Sequence, residues 1–451
     1  MKLKVSRLFF IVIAVFGLLV VSFGGVQAQD QITVKLWMHD HPPREPLDNQ
    51  HIAEFEKANP NIKVEYTIVP APDWSTTLAT AMASGAGPDL FNVDSFSVGD
   101  YYVQGNIVPV DAAAAGYADQ QAIYDSYEGG KDMLAGATFN GQLYGLPTEW
   151  SAYACYTNNA LWQKAGLDPN KDFPTTWEGL KDVAEKLTVR DANGAITQRG
   201  YDFRWGTSIF MFLSFNAMVQ QLGGNMVDET NYTANIDTPQ VKQVMQYWYD
   251  WANTWKLGGA QYTDDRTDFL AGNMAINCDV GSWFAPQADD AKIQYTIHPV
   301  PRWQNNVHDN GFASYGYMYT VNSQSSPDVQ AAAWKLAGYL TSFPADYLAA
   351  AGLLQPKKDF VESDAFKNDP IMPVFESELT KDIFNPRIAG FQEVSDALQR
   401  ARDRIISGGE DMDSVLADAQ SEVSDILAQA KANGGVSVTE TPATPEATAS
   451  S

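Results

Sequence analysis

The residues with the most chemical potential lie in short acidic and aromatic clusters. His39 and His41 bracket Asp40 in MHDHPPRE, and two histidines with a carboxylate form a set that zinc accepts. Pro42 and Pro43 stiffen the chain just beyond, and His51, His298 and His308 show no ligand spacing, so no metal is expected and the histidines read as hydrogen-bonding groups for a polar ligand. Glu149, Asp94 and Asp279 are candidates for a glycosidase pair, which needs two carboxylates about 5 to 9.5 Å apart, a separation that sequence does not give. The chain has no G-x-S-x-G elbow, no H-E-x-x-H and no G-x-x-x-x-G-K-[ST]. ASGAGPD, the nearest approach to a phosphate loop, ends in Pro and an anion-repelling Asp. Nothing requires catalysis, and no cofactor is expected.

Sugar recognition needs a different set. A pyranose offers hydroxyls to carboxylates, amides and Arg, and an apolar ring face to Trp or Tyr. Such groups recur at element ends: Trp37 with His39, Asp73 with Trp74, Asp94 with Ser95, Glu149 with Trp150, Asp279 with Trp283, and Tyr315 with Tyr317.

The elements that must position these groups read as an α/β chain. ITVKLWM at 32–38 alternates as a strand, and a helix over 49–58 follows, stopped by Pro60. Ile62, Val64, Tyr66 and Ile68 form a second strand, 74–84 a second helix, and 89–93 a short buried strand. That order is the pattern of a parallel sheet wound with helices, and crevices form at its strand ends. Thr175 and Glu178 suggest a capping box for a helix carrying Trp177, Leu180, Val183 and Leu187. Thr238-Pro239 opens a helix whose Val241, Val244, Trp248, Trp251 and Trp255 share one face, which assigns the aromatic run QYWYDWANTW to core packing. Ser326-Pro327 starts another helix, and 390–407 and 411–432 are amphipathic helices parted by Gly408 and Gly409, with Gly434 ending the second.

Composition bounds the address and the partners. Lys2, Lys4 and Arg7, the apolar run 8–21 and the small residues before Ala28 have the order of a secretory signal at 1–28; the run is shorter than the ~20 residues a membrane span takes. Removing that segment takes the net charge from −25 to −28, which argues against nucleic acid or an anionic membrane surface as partner. Cys155 and Cys278 are the two cysteines, readable as one bridge or as two buried thiols, and no Cys near Ala28 suggests a lipid anchor. The 436–451 tail is Thr, Ala, Pro and Glu without periodicity and is expected to be disordered. About 420 mature residues are expected to form two lobes.

Taken in order, the ITVKLW strand, FEKANPNIKV, SGAGPDLFNVD, FNGQLYGLPTEW with a following Tyr-x-Asn, FLAGNMAINCDVGSW, the Ile297–Pro301 segment and GFASYGYMYTVN make a series. It resembles the extracellular solute-binding proteins of family 1, the maltose-binding-protein-like, carbohydrate-binding subunits of ABC importers. The resemblance implies a two-lobed periplasmic-binding-protein fold, type II-like, each lobe a wound sheet flanked by helices, with solute in the cleft between them. Lobe 1 would comprise 29–152 and 296–342, lobe 2 153–295 and 343–435, with crossings near Ala152–Thr157, Tyr295 and Ser342. It places Trp37, His39, His41, Trp74, Asp94, Ser95, Glu149 and Trp150 at the first-lobe side of the cleft, and Trp205, Asp279, Gly281 and Trp283 at the second; Tyr315 and Tyr317 belong to the returning segment, and Arg387 is a late addition, holding a hydroxyl pair or a carboxylate, or pairing with Glu393. The implied function is capture of a sugar by hinge closure and delivery to an ABC permease by a monomer in a periplasmic or extracellular space. The alternatives are another solute on the same scaffold (polyamine, glycerol phosphate or peptide), the acidic residues favouring a cation, and a secreted glycosidase.

Overall fold

The computed structural model describes residues 31–432, except 263, 380, 382–385 and the side chain of Pro72. The expected secretory segment at 1–28, Gly434 and the 436–451 tail lie outside the described residues.

In the Ile32–His39 strand, Val34, Leu36 and Met38 are buried on one face while Lys35 points to solvent, the alternation of a strand covered mainly on one side. It pairs in parallel with Ile62–Val69 along its whole length and with Leu90–Asp94 at Leu36 and Trp37. The helix between the first two strands, Glu45–Ala58, carries Pro at its start and buries Ile52 and Phe55. The strand order of the five-stranded sheet is 62–69, 32–39, 90–94, 315–321, 146–151. The wound parallel pattern holds for its first three strands; Tyr315–Val321 then runs antiparallel to both of its neighbours, so the sheet is mixed.

The second sheet has Ala154–Asn158 at its centre, antiparallel to Ile276–Val280 and Tyr295–His298. Around it lies a second core containing Trp162, Trp177, Trp248 and Trp251. Thr238 caps the Pro239–Tyr249 helix, and a π-helical turn at Asp250–Thr254 continues it, keeping both Trp248 and Trp251 inward as the sequence spacing predicts. Thr176, not Thr175, caps the Trp177–Leu187 helix, accepting from Gly179 N at 3.1 Å. The register moves by one because Trp177 N is already donated to the Arg302 carbonyl, and Glu178 accepts from Gln304 N instead. Cys155 and Cys278, on neighbouring strands of this sheet, are joined as a disulfide.

The chain leaves the first sheet at Ser151 and enters the second at Ala154. The return expected near Tyr295 lies instead after Ala313, because Val300, Trp303 and Phe312 are buried in the second core, where Trp303 Nε1 donates to the Met218 carbonyl and Phe312 stacks on Trp177. Leu340 packs in the first core and Tyr347 in the second, on either side of a further crossing.

Candidate functional site

The ends of the first sheet bring His39, Asp94, Glu149 and Tyr317 together. Tyr317 stands between Asp94 and Glu149 in the register of its two neighbouring strands, and the His39 ring lies over it at 4.3 Å. Asn92 holds His39 twice, accepting from its backbone N–H and donating its amide to Nδ1 at 2.8 Å, which places the ring proton on Nε2. Burial, with the positive charge of Arg44, keeps His39 neutral well below its ordinary range. Trp74 meets His39 edge-on at 6.3 Å.

Arg44 is the pivot of this end. Nε donates to Asp48 at 3.1 Å and Nη2 to the His39 carbonyl at 2.6 Å, while Nη1 stands 3.6 Å from Glu149 Oε2, too far for a hydrogen bond. Arg44 Nη1, Glu149 Oε2 and both His41 ring nitrogens are therefore buried without hydrogen-bond partners. Burial pushes the Glu149 carboxyl up to about 7 against the pull of Arg44, and burial with Arg44 and Arg266 holds His41 down at about 3.

The facing groups come from the second sheet and its helices. Asp279, on Ile276–Val280, accepts from Arg204 Nη1 at 3.0 Å, and its Oδ1 is buried and unbonded. Arg266, on the Asp265–Leu270 helix, lies over the Trp283 ring at 4.5 Å, with its Nε and Trp283 Nε1 likewise buried and unbonded. Tyr153 and Tyr315 pack edge to face at 5.4 Å, and the Tyr153 hydroxyl has no partner. Gly281 lets the halves meet: a Cβ there would lie 2.1 Å from Ser151 Oγ and 2.6 Å from Trp283 Nε1. Surface hollows of about 730 Å3, around Ile32 and Lys335, and about 470 Å3, around Ser126 and Lys357, lie away from this cluster.

A buried polar atom without a partner costs about 1–3 kcal/mol. Polar atoms on His41, Arg44, Glu149, Tyr153, Arg266, Asp279 and Trp283 bear that cost, and they face one seam between the two cores. Such a set is suited to a polyhydroxylated molecule enclosed from both sides.

The sequence profile of bacterial extracellular solute-binding proteins matches residues 43–346. The chain belongs to this family. The maltotriose-binding protein of Pyrococcus abyssi is 23% identical to this solute-binding protein over 398 residues, covering 86% of this chain and 81% of that one. The sn-glycerol-3-phosphate-binding periplasmic protein of Brucella abortus is 23% identical over 404 residues, covering 82% and 88%. An ABC transporter solute-binding protein from Thermotoga lettingae, solved with α-D-tagatose, superposes with a TM-score of 0.76 at 24% identity, over 88% of this chain and all of that one. The fold is the two-lobed one of these proteins, and the family is one of exported binding proteins.

Several residues expected at the cleft of the solute-binding protein lie elsewhere. Trp205 is buried in the second core, its Nε1 donating to Asp202 at 2.7 Å and its ring against Trp248, so the expected ligand-facing role is corrected to packing. Trp150 alternates to the face opposite Glu149 and packs in the first core against Gly316, where a Cβ would lie 2.3 Å from its ring. Trp37 is half-buried against that same core. Asp94 spends its carboxylate on the turn that follows, accepting from Phe96 N, Ser97 N and Ser97 Oγ. Ser95 exchanges backbone and side-chain hydrogen bonds with Gly316. Arg387 donates to the Asp132 carbonyl and lies beside Glu229 rather than Glu393.

Sequence reading missed Arg44, Arg204, Arg266 and Tyr153, because the pairs sought were acidic and aromatic. The available signals were slight: Arg44 ends the His- and Pro-rich loop, and Arg204 adjoins Trp205. The acidic character inferred for the site is corrected as well, since Arg44 stands 3.6 Å from Glu149, Arg204 pairs with Asp279 and Arg266 adds a further cation. Among the described residues no helix is long and apolar enough to cross a membrane, and no cluster of three metal-ligating side chains occurs.

Proposed function

We propose that this solute-binding protein captures a sugar or oligosaccharide outside the cytoplasm by closing its two lobes on it, and delivers it to the permease of an ABC importer. The observation that carries the reading is the set of unbonded buried polar atoms converging from both cores on one seam, with Tyr315, Tyr317 and Trp283 beside them. Carboxylates accept from hydroxyls, guanidinium and indole N–H groups donate to them, and the rings cover C–H faces. Solute favours the closed form because only there do His41 and Glu149 on one side and Asp279 and Arg266 on the other reach it together. The binding of maltotriose by the Pyrococcus relative supports a saccharide. Release of the mature chain after position 28 and action as a monomer belong to the same proposal.

A second reading, a phosphorylated polyol on the same scaffold, draws on the sn-glycerol-3-phosphate-binding relative. A polyamine is disfavoured by Arg44, Arg204 and Arg266 at the seam.

Thermal-shift screening of the whole protein against mono- and oligosaccharides tests the proposal, since a ligand at 100 times its Kd stabilises by about 2.7 kcal/mol. Saccharides are expected to raise the melting temperature without release of reducing sugar. No shift with any saccharide would refute saccharide capture, and reducing-sugar release would return the glycosidase reading.

A further inference from the structure

The seam is not charge-balanced on its second-lobe side. Arg204 and Asp279 form one ion pair at 3.0 Å. Arg266 stands beside that pair, and among the described residues no carboxylate forms an ion pair with it. Its guanidinium rests on the Trp283 ring, and its Nε is buried and unbonded. The acids closest to it in sequence do not serve it: Asp265 and Asp268, on the same short helix, are both turned to Arg199, at 2.7 and 2.5 Å. Asp202 also pairs with Arg199, at 2.9 Å. That one buried cation therefore holds the Asp265–Leu270 helix by two of its carboxylates and leaves Arg266 turned to Trp283, near Asp279 and His41. Across the seam, Arg44 is bonded to Asp48 and has Glu149 beside it, and Asp94 is engaged by its own turn.

The hydrogen-bonding inventory leans the same way. Arg266 Nε, Arg44 Nη1 and Trp283 Nε1 are buried, unbonded and able only to donate, against Glu149 Oε2 and Asp279 Oδ1 as acceptors. A neutral sugar satisfies acceptors and donors through hydroxyls but brings no counter-charge to the half-buried Arg266 guanidinium, whose Nε is already shut off from water, and a charge enclosed without a partner is costly. A single carboxylate matches the planar fork of one Arg and supplies one negative charge.

Resting on the saccharide reading above, we infer that the solute is a sugar acid, a saccharide carrying one carboxylate as in a hexuronate, with that carboxylate held by Arg266 beside Trp283 and its hydroxyls shared among Glu149, Asp279 and His41. The site then discriminates by charge: the acid neutralises Arg266, which no carboxylate pairs among the described residues, and the neutral congener does not.

Isothermal titration of the full-length mature protein with galacturonate, glucuronate and their oligomers, beside galactose, glucose and the matching neutral oligomers, tests the inference, with sn-glycerol 3-phosphate as the phosphate arm. The acids are expected to bind on the order of 30-fold more tightly than their neutral congeners, the worth of a hydrogen bond to a charged group. In Arg266→Gln the acid-to-neutral ratio should collapse toward one, and in Arg266→Lys part of it should survive. Equal binding of acids and neutral sugars would overturn the inference and leave saccharide capture standing. Binding of the phosphate alone, or of no saccharide at all, would overturn both. An unchanged ratio in Arg266→Gln would remove Arg266 from the recognition.

Discussion

The Tyr347 hydroxyl donates to Asp48 Oδ1 at 2.8 Å, joining residues 299 positions apart. Asp48 lies on the Glu45–Ala58 helix of the first lobe, and Tyr347 is buried in the second core. The same carboxylate accepts from Tyr66 and from Arg44 Nε, so it ties a lobe-to-lobe contact to the arginine that stands before Glu149. Asp48→Ala is expected to cost about 3–5 kcal/mol, because it takes from the buried Arg44 the one carboxylate that is hydrogen-bonded to it and leaves it only the His39 carbonyl. Tyr347→Phe should cost only about 1 kcal/mol. Urea unfolding followed by tryptophan fluorescence measures both, and equal losses would contradict the ordering.

Glu149 makes stability depend on pH. Burial raises its carboxyl to about 7 from an ordinary 4.5, so the folded chain holds this proton more tightly than the unfolded one. The contribution is complete below about pH 4.5 and is lost as pH rises through 7. Gln at this position does not titrate, so the stability of Glu149→Gln relative to the parent should rise by roughly 3 kcal/mol between the two limits. A difference that stays flat between acid and alkaline unfolding experiments would exclude a buried, titrating Glu149.

Gly281→Ala tests how tightly the seam closes. The backbone there is extended and accepts Ala, but the added methyl would lie 2.1 Å from Ser151 Oγ and 2.6 Å from Trp283 Nε1. Displacing Trp283 also disturbs Arg266, which rests on its ring. Titration calorimetry with a solute identified in the thermal screen should show affinity falling by about 10-fold or more, the equivalent of roughly 1.4 kcal/mol. Unchanged affinity would mean that these three residues do not set the closed geometry.

The disulfide closes a long loop between adjacent strands, with its cysteines 123 residues apart. Cys155→Ser with Cys278→Ser, or reduction of the parent, should lower unfolding free energy by about 3–5 kcal/mol, chiefly by freeing the unfolded chain. Chemical denaturation with and without reductant measures it. A reductant-independent midpoint would show that the bond carries no stability.

Trp205→Ala should lower stability by about 3–5 kcal/mol, the cost of emptying a packed core. A solute that stabilises the parent should still raise the melting temperature of the variant from its lower starting value. Loss of that response in a variant of parental stability would return Trp205 to the binding surface.

The local pattern was legible because its causes are local. Alternation in ITVKLWM, the helix stop at Asn59-Pro60 and the Trp248–Trp251 face each reflect a period or a cap within a few residues, and they stand where those signals put them, although the first helix begins at Glu45 rather than at 49. Even there a tertiary contact moved a boundary, as when the Arg302 carbonyl took Trp177 N and passed the cap from Thr175 to Thr176.

By itself, the amino-acid sequence determined the strands and helices, the acidic composition and the series of segments that marks the family. Only tertiary structure decided which side chains look into the seam. Trp283 and Trp205 are alike as residues, yet the fold gives one an unbonded indole beside Arg266 and buries the other against Asp202 and Trp248. Arg44 and Arg204 carry only a slight local mark of purpose and Arg266 none, because whether a guanidinium is paired depends on carboxylates brought near by chain crossings. The direction of a side chain follows from the face its backbone presents, and the company it keeps follows from contacts spanning hundreds of residues, neither of which a short window of sequence contains.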